Sequence, residues 1–436
     1  MRKVCLTLPT NRACAETITA VAGEAVYAAE HFPVEVTLLI LDSSDEATRA
    51  RHARTIAETP LPANVTVLHL DEDAQREFLT SVVQDGTKPD LLLDLLLPAG
   101  LSYGACTNRA FLIAAALGCD SVHRRDSDSR YQWIGGTPVY PVHHELTSLG
   151  KRAGAAAGGV TEVRLDPADS GKPVVLVGGS FVGELSVDLG EVASQAPDVY
   201  YDVVSLWAPR DWPEHRKKEL VDEAFAGARD EVFERDRSTL SVVDPMRVDM
   251  CNIAFHRVHD QVPLAPATDT IGSDYFLHHL VHHTGLPSVV HNRHIVNFHT
   301  AERKTPQGFA AYQLRLAKFF LSMHYLNFIY DRMAEAGSSL LDDGFDVRAP
   351  LVAKIIREST ALPKGENAER VDVLVRSYRK LGGRYADVAA LVAERGPRLL
   401  AEAEQDIADF ATLTEEWETL VLRSRAVPLP QVRSAR

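Results

Sequence analysis

The stretch SYGACTNRAFLIAAALGCDSVHRRDSDSR, residues 102–130, decides the fold that this sequence predicts. Its first part, residues 103–118, has the small and apolar residues of a well-packed helix. The segment DSVHRRDSD then predicts a short strand that ends at two carboxylates, Asp126 and Asp128. A helix that leads into a strand is typical of the units from which parallel sheets are built.

The residues upstream of this stretch alternate between strand and helix patterns. Strands are predicted at 3–9, 34–42 and 64–70, and helices at 15–32, 46–58 and 74–85. This alternation favours an α/β fold with a mainly parallel sheet and helices on both faces. Because ligands of such sheets bind beyond the carboxyl ends of the strands, Asp126 and Asp128 stand at the expected position of a site.

The second half of the sequence is less regular. Its patterns predict, in order, strands with glycine bends at 172–189, a charged helix at 213–233 and a glycine-capped helix at 273–285. From about residue 309 onward strand patterns stop, and apolar residues such as Leu374, Tyr378 and Trp417 recur at helical spacing. The sequence therefore predicts a sheet domain over 1–305 and an α-helical C-terminal extension over 306–436.

Composition argues against several classes of protein. The chain has 436 residues, 45% of them hydrophobic, and a formal net charge of -14, which disfavours a nucleic-acid partner. Its five cysteines are scattered without a CxxC pair and no export signal is visible, so we expect reduced thiols and a cytoplasmic location. The most apolar helical stretch, 309–330, carries Arg315 and Lys318, so we expect no stable membrane insertion.

The carboxylate pair has two interpretations when it is taken alone. Asp126 and Asp128 lie two residues apart, so an extended chain places both side chains on the same side. Such a pair suits a divalent cation, Mn²⁺ or Mg²⁺, which prefers oxygen ligands and commonly bridges to a diphosphate. The same residues also fit a solvated polar turn, so their context has to decide.

The order of motifs around this pair resembles the GT-A fold glycosyltransferases, particularly the family 2-like enzymes. In those enzymes a first strand ends in a PTxNR-like turn, a second strand ends in an acidic residue, and a helix with neighbouring Asn and Arg leads into a D-x-D strand. The matching residues here are, in order, Pro9, Thr10, Asn11, Arg12, Asp42, Gly104, Asn108, Arg109, Asp126 and Asp128. The resemblance covers residues 2–130 well and is looser beyond.

The resemblance implies that these residues bind a nucleotide-diphosphate sugar, with UDP as the first choice of nucleotide. The turn 9–12 would hold the base and ribose, and Asp42 would accept hydrogen bonds from one of them. Arg109 would pair with a phosphate. Asp126 would face the ribose or sugar and, with Asp128, would hold the cation. A purely structural role remains an alternative for each residue; Asp42, for example, also fits a helix cap.

The resemblance also implies roles for two residues farther along the chain. Asp274 stands where these enzymes carry a carboxylate that takes a proton from the acceptor in an inverting reaction or orients a substrate in a retaining one. Here Ser273 replaces the more usual Glu before it. The glucosyl- and mannosyl-glycerate type synthases, which also carry DSD, complete the metal site with a late histidine. His299 is the first candidate for that ligand and His294 the second.

Histidine pairs suggest a different chemistry. His278 and His282, like His279 and His283, are four residues apart, so each pair lies on one face of a helix and could bind zinc. No glutamate of an HExxH motif accompanies them, and a zinc hydrolase therefore ranks last.

The sequence thus predicts a cytoplasmic, metal-dependent glycosyltransferase that acts on a small soluble acceptor. A nucleotidyltransferase is the first alternative, although the first strand is followed by no G-x-G-T-R loop. A non-catalytic nucleotide-sugar-binding protein is the second, because Ser273 is unusual and Arg124 and Arg125 have no assigned role. The oligomeric state stays open, and a homo-oligomer is compatible with the sequence.

Overall fold

The computed structural model of this chain describes residues 1–184, 189–298 and 305–429. The strands of these residues are β1 (Arg2–Thr10), β2 (Val34–Asp42), β3 (Val65–Asp71), β4 (Ser121–Arg125), β5 (Ser129–Tyr131), β6 (Trp133–Ile134), β7 (Thr137–Pro138), β8 (Glu162–Val163), β9 (Leu176–Gly178), β10 (Phe181–Gly183), β11 (Ser238–Val242), β12 (Asn252–His256), β13 (Pro287–His291) and β14 (Ile295–Asn297). The helices are α1 (Ala15–His31), α2 (Glu46–Glu58), α3 (Glu72–Val83), α4 (Pro89–Leu96), α5 (Tyr103–Ala116), α6 (Val142–Ser148), α7 (Ala153–Ala156), α8 (Gly190–Gln195), α9 (Pro197–Val204), α10 (Glu214–Glu223), α11 (Val258–Gln261), α12 (Phe276–Thr284), α13 (Pro306–Ala336), α14 (Ala349–Ser359), α15 (Lys364–Leu381) and α16 (Arg384–Ser424).

A nine-stranded sheet in the order β3-β2-β1-β4-β12-β9-β13-β11-β8 forms the centre of the molecule. The first four of these strands are parallel to one another, whereas β12 is antiparallel to both of its neighbours. Thr10 pairs with Asp42, and Asp42 pairs with Asp71, so β1, β2 and β3 end at one edge. The predicted α/β fold with a mainly parallel sheet is confirmed.

Strands β1 and β2 are largely apolar because helices cover both faces of the sheet. Leu6 and Leu8 of β1 belong to one buried cluster with Ile18 of α1. Cys5, on the opposite face of the same strand, belongs to a second cluster with Phe111 of α5. The alternation along β1 therefore fixes which helix lies on which face.

A buried network of charged side chains joins β4 to helices α1 and α6. Arg125 is 1% exposed and donates to Glu24 from Nε at 2.9 Å and from Nη2 at 2.8 Å. Its Nη2 also donates to Glu145 at 3.0 Å, and Tyr131 donates to Glu24 at 2.6 Å. Because an unpaired buried charge would destabilise the fold, these bonds hold the end of β4 against α1 and α6.

The C-terminal helices contribute to the apolar core that also contains helices of the sheet region. Helices α13, α15 and α16 contribute to the same apolar cluster as α3, α4 and α5. Trp417 of α16 donates its indole N–H to the His259 carbonyl at 2.9 Å, and Lys318 of α13 donates to the Thr268 carbonyl at 2.7 Å. A helical C-terminal region is confirmed, while its separation from 1–305 as a distinct unit stays a prediction.

None of the described helices combines the length and the apolar character that crossing a membrane requires.

The charged helix predicted over 213–233 is wrong in its second half. Helix α10 ends at Glu223, because Phe225 and Gly227 have φ values of 60° and 55°, which a right-handed helix cannot continue. The N–H of Ala228 instead donates to the Phe181 carbonyl at 2.8 Å. This turn brings Phe225 to the wall of the cavity described below.

Replacement of Glu24 tests the buried network. We expect Glu24→Ala to lower the free energy of unfolding by about 3–5 kcal/mol, because Arg125 keeps a buried charge and loses two bonds. Urea titration measures the change. Glu16→Ala on the same helix is the matched control, since the Glu16 side chain is 90% exposed and we expect a change of about 0.5 kcal/mol or less. Equal effects of the two substitutions would contradict this account.

Candidate functional site

A cavity of about 550 Å³ opens at the carboxyl edge of β1, β2 and β4. Its walls come from the loops after these strands, the start of α5, the segment before α12 and one face of α13. This position agrees with the general rule for ligand sites of parallel sheets.

The loop after β1 forms one side of the cavity. Pro9, Thr10, Asn11 and Arg12 all line it, as the sequence predicts. The Thr10 hydroxyl donates to the Arg12 carbonyl at 3.0 Å and accepts from the Arg12 N–H at 3.3 Å, which makes a tight turn. Arg12 then donates from Nη1 to Asp128 at 3.1 Å, so this loop and the D-x-D segment come together.

Arg124 connects the D-x-D segment to the predicted catalytic carboxylate. Its guanidinium is buried, with Nη2 at 3.1 Å from Asp126 and Nη1 at 2.5 Å from Asp274. Asp126, Asp128 and Asp274 all line the cavity, although 150 residues separate Arg124 from Asp274 in the sequence. Arg124, to which the sequence analysis assigned no role, thus bridges the carboxylates of Asp126 and Asp274.

The carboxylates concentrate negative charge in this part of the cavity. Burial raises the pKa of Asp126 to about 6; Arg124 opposes this shift, and the nearby carboxylates of Asp128, Asp274 and Asp249 add to it. Burial lowers the pKa of Arg124, but Asp126 and Asp274 outweigh it and hold the value well above the usual range. A divalent cation would relieve this repulsion, and two carboxylates offer the hard oxygen ligands that Mn²⁺ or Mg²⁺ takes. The residues present therefore fit such a cation.

Of the two histidine candidates for this metal site, the structure describes only His294. His299, the first candidate, lies outside the described residues. His294 is buried and does not line the cavity; its Nδ1 accepts from the Ser180 N–H at 3.0 Å. Asp126 and Asp128 would leave coordination positions for phosphate oxygens and water, as Mg²⁺ commonly retains.

Asp42 does not line the cavity, and its carboxylate already has protein partners. Its side chain is fully buried, and Oδ2 lies 2.7 Å from His52 Nδ1 and 2.8 Å from His69 Nε2. Oδ1 accepts from the N–H and hydroxyl of Ser44 at 3.0 and 2.5 Å. Burial acts to raise the pKa of Asp42, but hydrogen bonds from His69, Ser44 and His52 outweigh it and hold the value well below the usual range. Its neighbour Ser43 does line the cavity.

Among the described residues, one group of three side chains has ligand atoms close enough together to hold a metal ion, and it includes Asp42. Ligand atoms of Asp42, His52 and His69 lie within 4.8 Å of one another. Both imidazoles, however, approach the same Asp42 oxygen at hydrogen-bond distance, and His52 Nε2 accepts from the Cys14 N–H at 3.1 Å. Hydrogen bonding accounts for this arrangement and ties α2 and β3 to β2.

Three predicted donor-binding residues of α5 have different positions. A Cβ at Gly104 would lie 1.9 Å from the Ala265 carbonyl oxygen, so only glycine permits this approach. Asn108 donates to the Leu264 carbonyl at 2.9 Å and accepts from its N–H at 2.8 Å. Neither Gly104 nor Asn108 lines the cavity. Arg109 does line it, and donates to Gln75 at 2.8 Å and to a backbone carbonyl of α4 at 2.7 Å.

The histidine pairs of α12 have separate environments. His279 lines the cavity and stacks on Tyr330, with ring centroids 3.7 Å apart. His278 is buried against the rings of Phe255 and Tyr275, and His282 donates to a backbone carbonyl at 2.6 Å. In the part of the chain that the structure describes, these rings do not assemble with other ligating side chains into a metal-binding group of three.

Sequence analysis missed several residues of the cavity. Tyr275 donates to Asp249 at 2.5 Å, and both line the wall near Asp126. Phe319 and Tyr330 line it from α13. Helical spacing in the sequence reveals the apolar face of α13, but only the fold shows that part of this face borders a cavity.

Comparison with known proteins gives one family and several distant structures. The model described as Family of unknown function (DUF6271) matches residues 2–433, and no curated protein matches the chain in sequence. Mannosyltransferase PcManGT from Pyrobaculum calidifontis, solved with GDP-Man and Mn²⁺, is 13% identical, with 94% of this chain and 86% of that chain covered and a TM-score of 0.36. S. aureus TarS 1-349 is 10% identical, with 96% of this chain and 91% of that chain covered and a TM-score of 0.31. Mouse xyloside xylosyltransferase 1 is 14% identical, with 45% of this chain and 59% of that chain covered and a TM-score of 0.21.

The environment of Asp42 predicts a dependence of stability on pH. Because its pKa is lowered on folding, Asp42 stabilises the fold fully above its unfolded-state pKa of about 3.9, and this contribution is lost as pH falls toward the folded value. We expect wild type to exceed Asp42→Asn in free energy of unfolding most near neutral pH, and the difference to shrink below about pH 5.

Urea titrations over a pH series measure this difference. Asp343→Asn removes a carboxylate at an exposed position and is the matched control. A wild-type advantage over Asp42→Asn that grows on acidification would contradict the assigned hydrogen bonds.

Proposed function

We propose that this chain, which belongs to the DUF6271 family of unknown function, is a metal-dependent glycosyltransferase that transfers a sugar from a nucleoside-diphosphate sugar to an acceptor hydroxyl. The observation that carries the proposal is that Asp126, Asp128 and Asp274 line one cavity at the carboxyl edge of the sheet, where Arg124 pairs with Asp126 and Asp274. These carboxylates come from two separate parts of the sequence, residues 126–128 and residue 274, and each has a role in the proposed transfer.

The donor would bind at the strand end of the cavity. The turn of Pro9 to Arg12 offers backbone and side-chain groups for the base and ribose. Arg109 offers a guanidinium group for a phosphate. Asp126 and Asp128 would hold Mn²⁺ or Mg²⁺, which when bound supplies Lewis-acid assistance to departure of the nucleoside diphosphate.

Asp274 is the residue proposed for proton transfer. Its carboxylate would accept the acceptor hydroxyl proton as the acceptor oxygen bonds to the anomeric carbon. The bond between that carbon and the phosphate oxygen breaks, and the nucleoside diphosphate leaves with the electron pair. Arg124, at 2.5 Å, holds Asp274 toward the D-x-D segment and is a positioning residue.

Donor binding in wild type and Asp128→Asn tests the metal site. We expect one class among UDP-, GDP-, TDP- and CDP-sugars to raise the melting temperature of wild type with Mn²⁺ and not without it. Asp128→Asn should lose this shift, because the cation loses a ligand. Asp343→Asn, at an exposed position, should retain it. Binding that needs no metal and survives Asp128→Asn would defeat the proposal.

Replacement of Asp274 separates transfer from donor binding. We expect Asp274→Asn to lower kcat by about 10²- to 10⁴-fold, since an amide cannot accept the proton. The Kd of the donor, measured by isothermal titration calorimetry, should change little because Asp126 and Asp128 remain. Unchanged turnover in Asp274→Asn would remove this residue from the mechanism.

A further inference from the structure

The cavity extends past Asp274 into an apolar lobe. We define this lobe by Trp207, Phe225, Phe319, Met323 and Tyr330, which all line the cavity. A Cβ at Gly272, two residues before Asp274, would lie 2.8 Å from the Phe319 ring. The lobe therefore borders the segment that carries Asp274.

Aromatic rings make up much of the lobe, and the fold holds them in place. The Trp207 ring lies 5.1 Å from that of Phe225 and 5.2 Å from that of Phe319, between centroids. Asn327 donates to the Trp207 carbonyl at 2.9 Å. Phe225 has φ 60°, a conformation that a bulky residue keeps only when its surroundings impose it.

Methionines add to the preference for aromatic ligands. Met246, Met250 and Met323 line the cavity, and they are three of the five methionines in the chain. Thioethers make favourable contacts with aromatic rings and adapt their shape to them. A sugar would find few hydrogen-bonding partners among these side chains.

Charge in the cavity disfavours an anionic acceptor. Among the described residues, the arginines that line the cavity are Arg12, Arg109 and Arg124, and no lysine lines it. Arg12 pairs with Asp128, and Arg124 pairs with Asp126 and Asp274. The described residues that define the lobe carry no charge, so an acceptor carboxylate or phosphate would be desolvated there without a cation.

The size of the cavity limits the acceptor further. Its volume of about 550 Å³ lies within the usual range of ligand pockets, about 300–1,000 Å³. Because the donor must share this space, the lobe has room for a compact ring system and not for a long acyl chain.

We propose that the acceptor is an uncharged, compact aromatic molecule with a phenolic or alcoholic hydroxyl, bound in the apolar lobe; this inference rests on the glycosyltransferase function proposed above. The hydroxyl gives its proton to Asp274 and its oxygen forms the new bond to the anomeric carbon. The sugar–phosphate bond breaks, and the nucleoside diphosphate leaves with the bonding electrons, so the product is an aromatic glycoside.

Transfer to 4-methylumbelliferone tests the proposal in the full chain. The donor is the nucleotide sugar that binds with Mn²⁺, and mass spectrometry detects an acceptor that has gained one glycosyl group. Glycerate and methyl glucoside serve as anionic and sugar acceptors. We expect product from 4-methylumbelliferone at a kcat/KM at least tenfold above that for either alternative. Preference for glycerate or methyl glucoside would overturn the acceptor class and leave the proposed function intact, whereas failure of every nucleotide sugar to bind would defeat both.

Two tryptophan variants locate the acceptor site. We expect Trp207→Leu to weaken 4-methylumbelliferone binding about two- to tenfold, as loss of an aromatic contact does, with the donor Kd unchanged within twofold. Trp133→Leu is the matched control, because Trp133 is 67% exposed on the β6–β7 hairpin, and should bind like wild type. If Trp207→Leu melts much earlier than wild type, Met246→Ala replaces it with the same expected loss, because Met246 is half-buried and also lines the cavity. Binding that neither Trp207→Leu nor Met246→Ala changes would overturn the proposal.

Discussion

Two buried guanidinium groups on neighbouring residues of β4 organise both faces of the sheet. Successive side chains of a strand point to opposite faces, so Arg124 meets Asp126 and Asp274 in the cavity while Arg125 meets Glu24 of α1 on the other side. A buried charge without a partner is costly, so these pairings fix the positions of the segments that carry the carboxylates. The geometry of the proposed site therefore depends on the same strand that orders the core.

The sequence predicted the sheet half of the molecule well because its signals there are local. Parallel strands covered on both faces are continuous apolar runs, and the order of β1, β2 and β3 follows from helices that alternate with them. The resemblance to GT-A glycosyltransferases, and not a local signal, implied that Asp126, Asp128 and Asp274 share a site, and all three line the cavity. Their proposed roles go beyond this placement and await experiment.

Long-range contacts account for placements that spacing in the sequence does not indicate. The Asp42 carboxylate bonds to His69, 27 residues away, and its role at a nucleotide stays a prediction. Asn108 of α5 bonds to Leu264, 156 residues away, and no spacing in the sequence indicates that pairing. The end of α10 depends on a turn whose φ values at Phe225 and Gly227 are supported by contacts with β10. Such tertiary effects override local propensity.

Helix α13 connects the apolar core with the cavity. It packs in the main apolar core and also forms a wall of the cavity, through Phe319 and Tyr330. A ligand bound in the cavity would thereby oppose local opening of α13, and slower amide hydrogen exchange in α13 would report occupancy of a site that lies at the sheet edge. Ligand binding at the strand ends would in this way be linked to the local stability of a helix in the core.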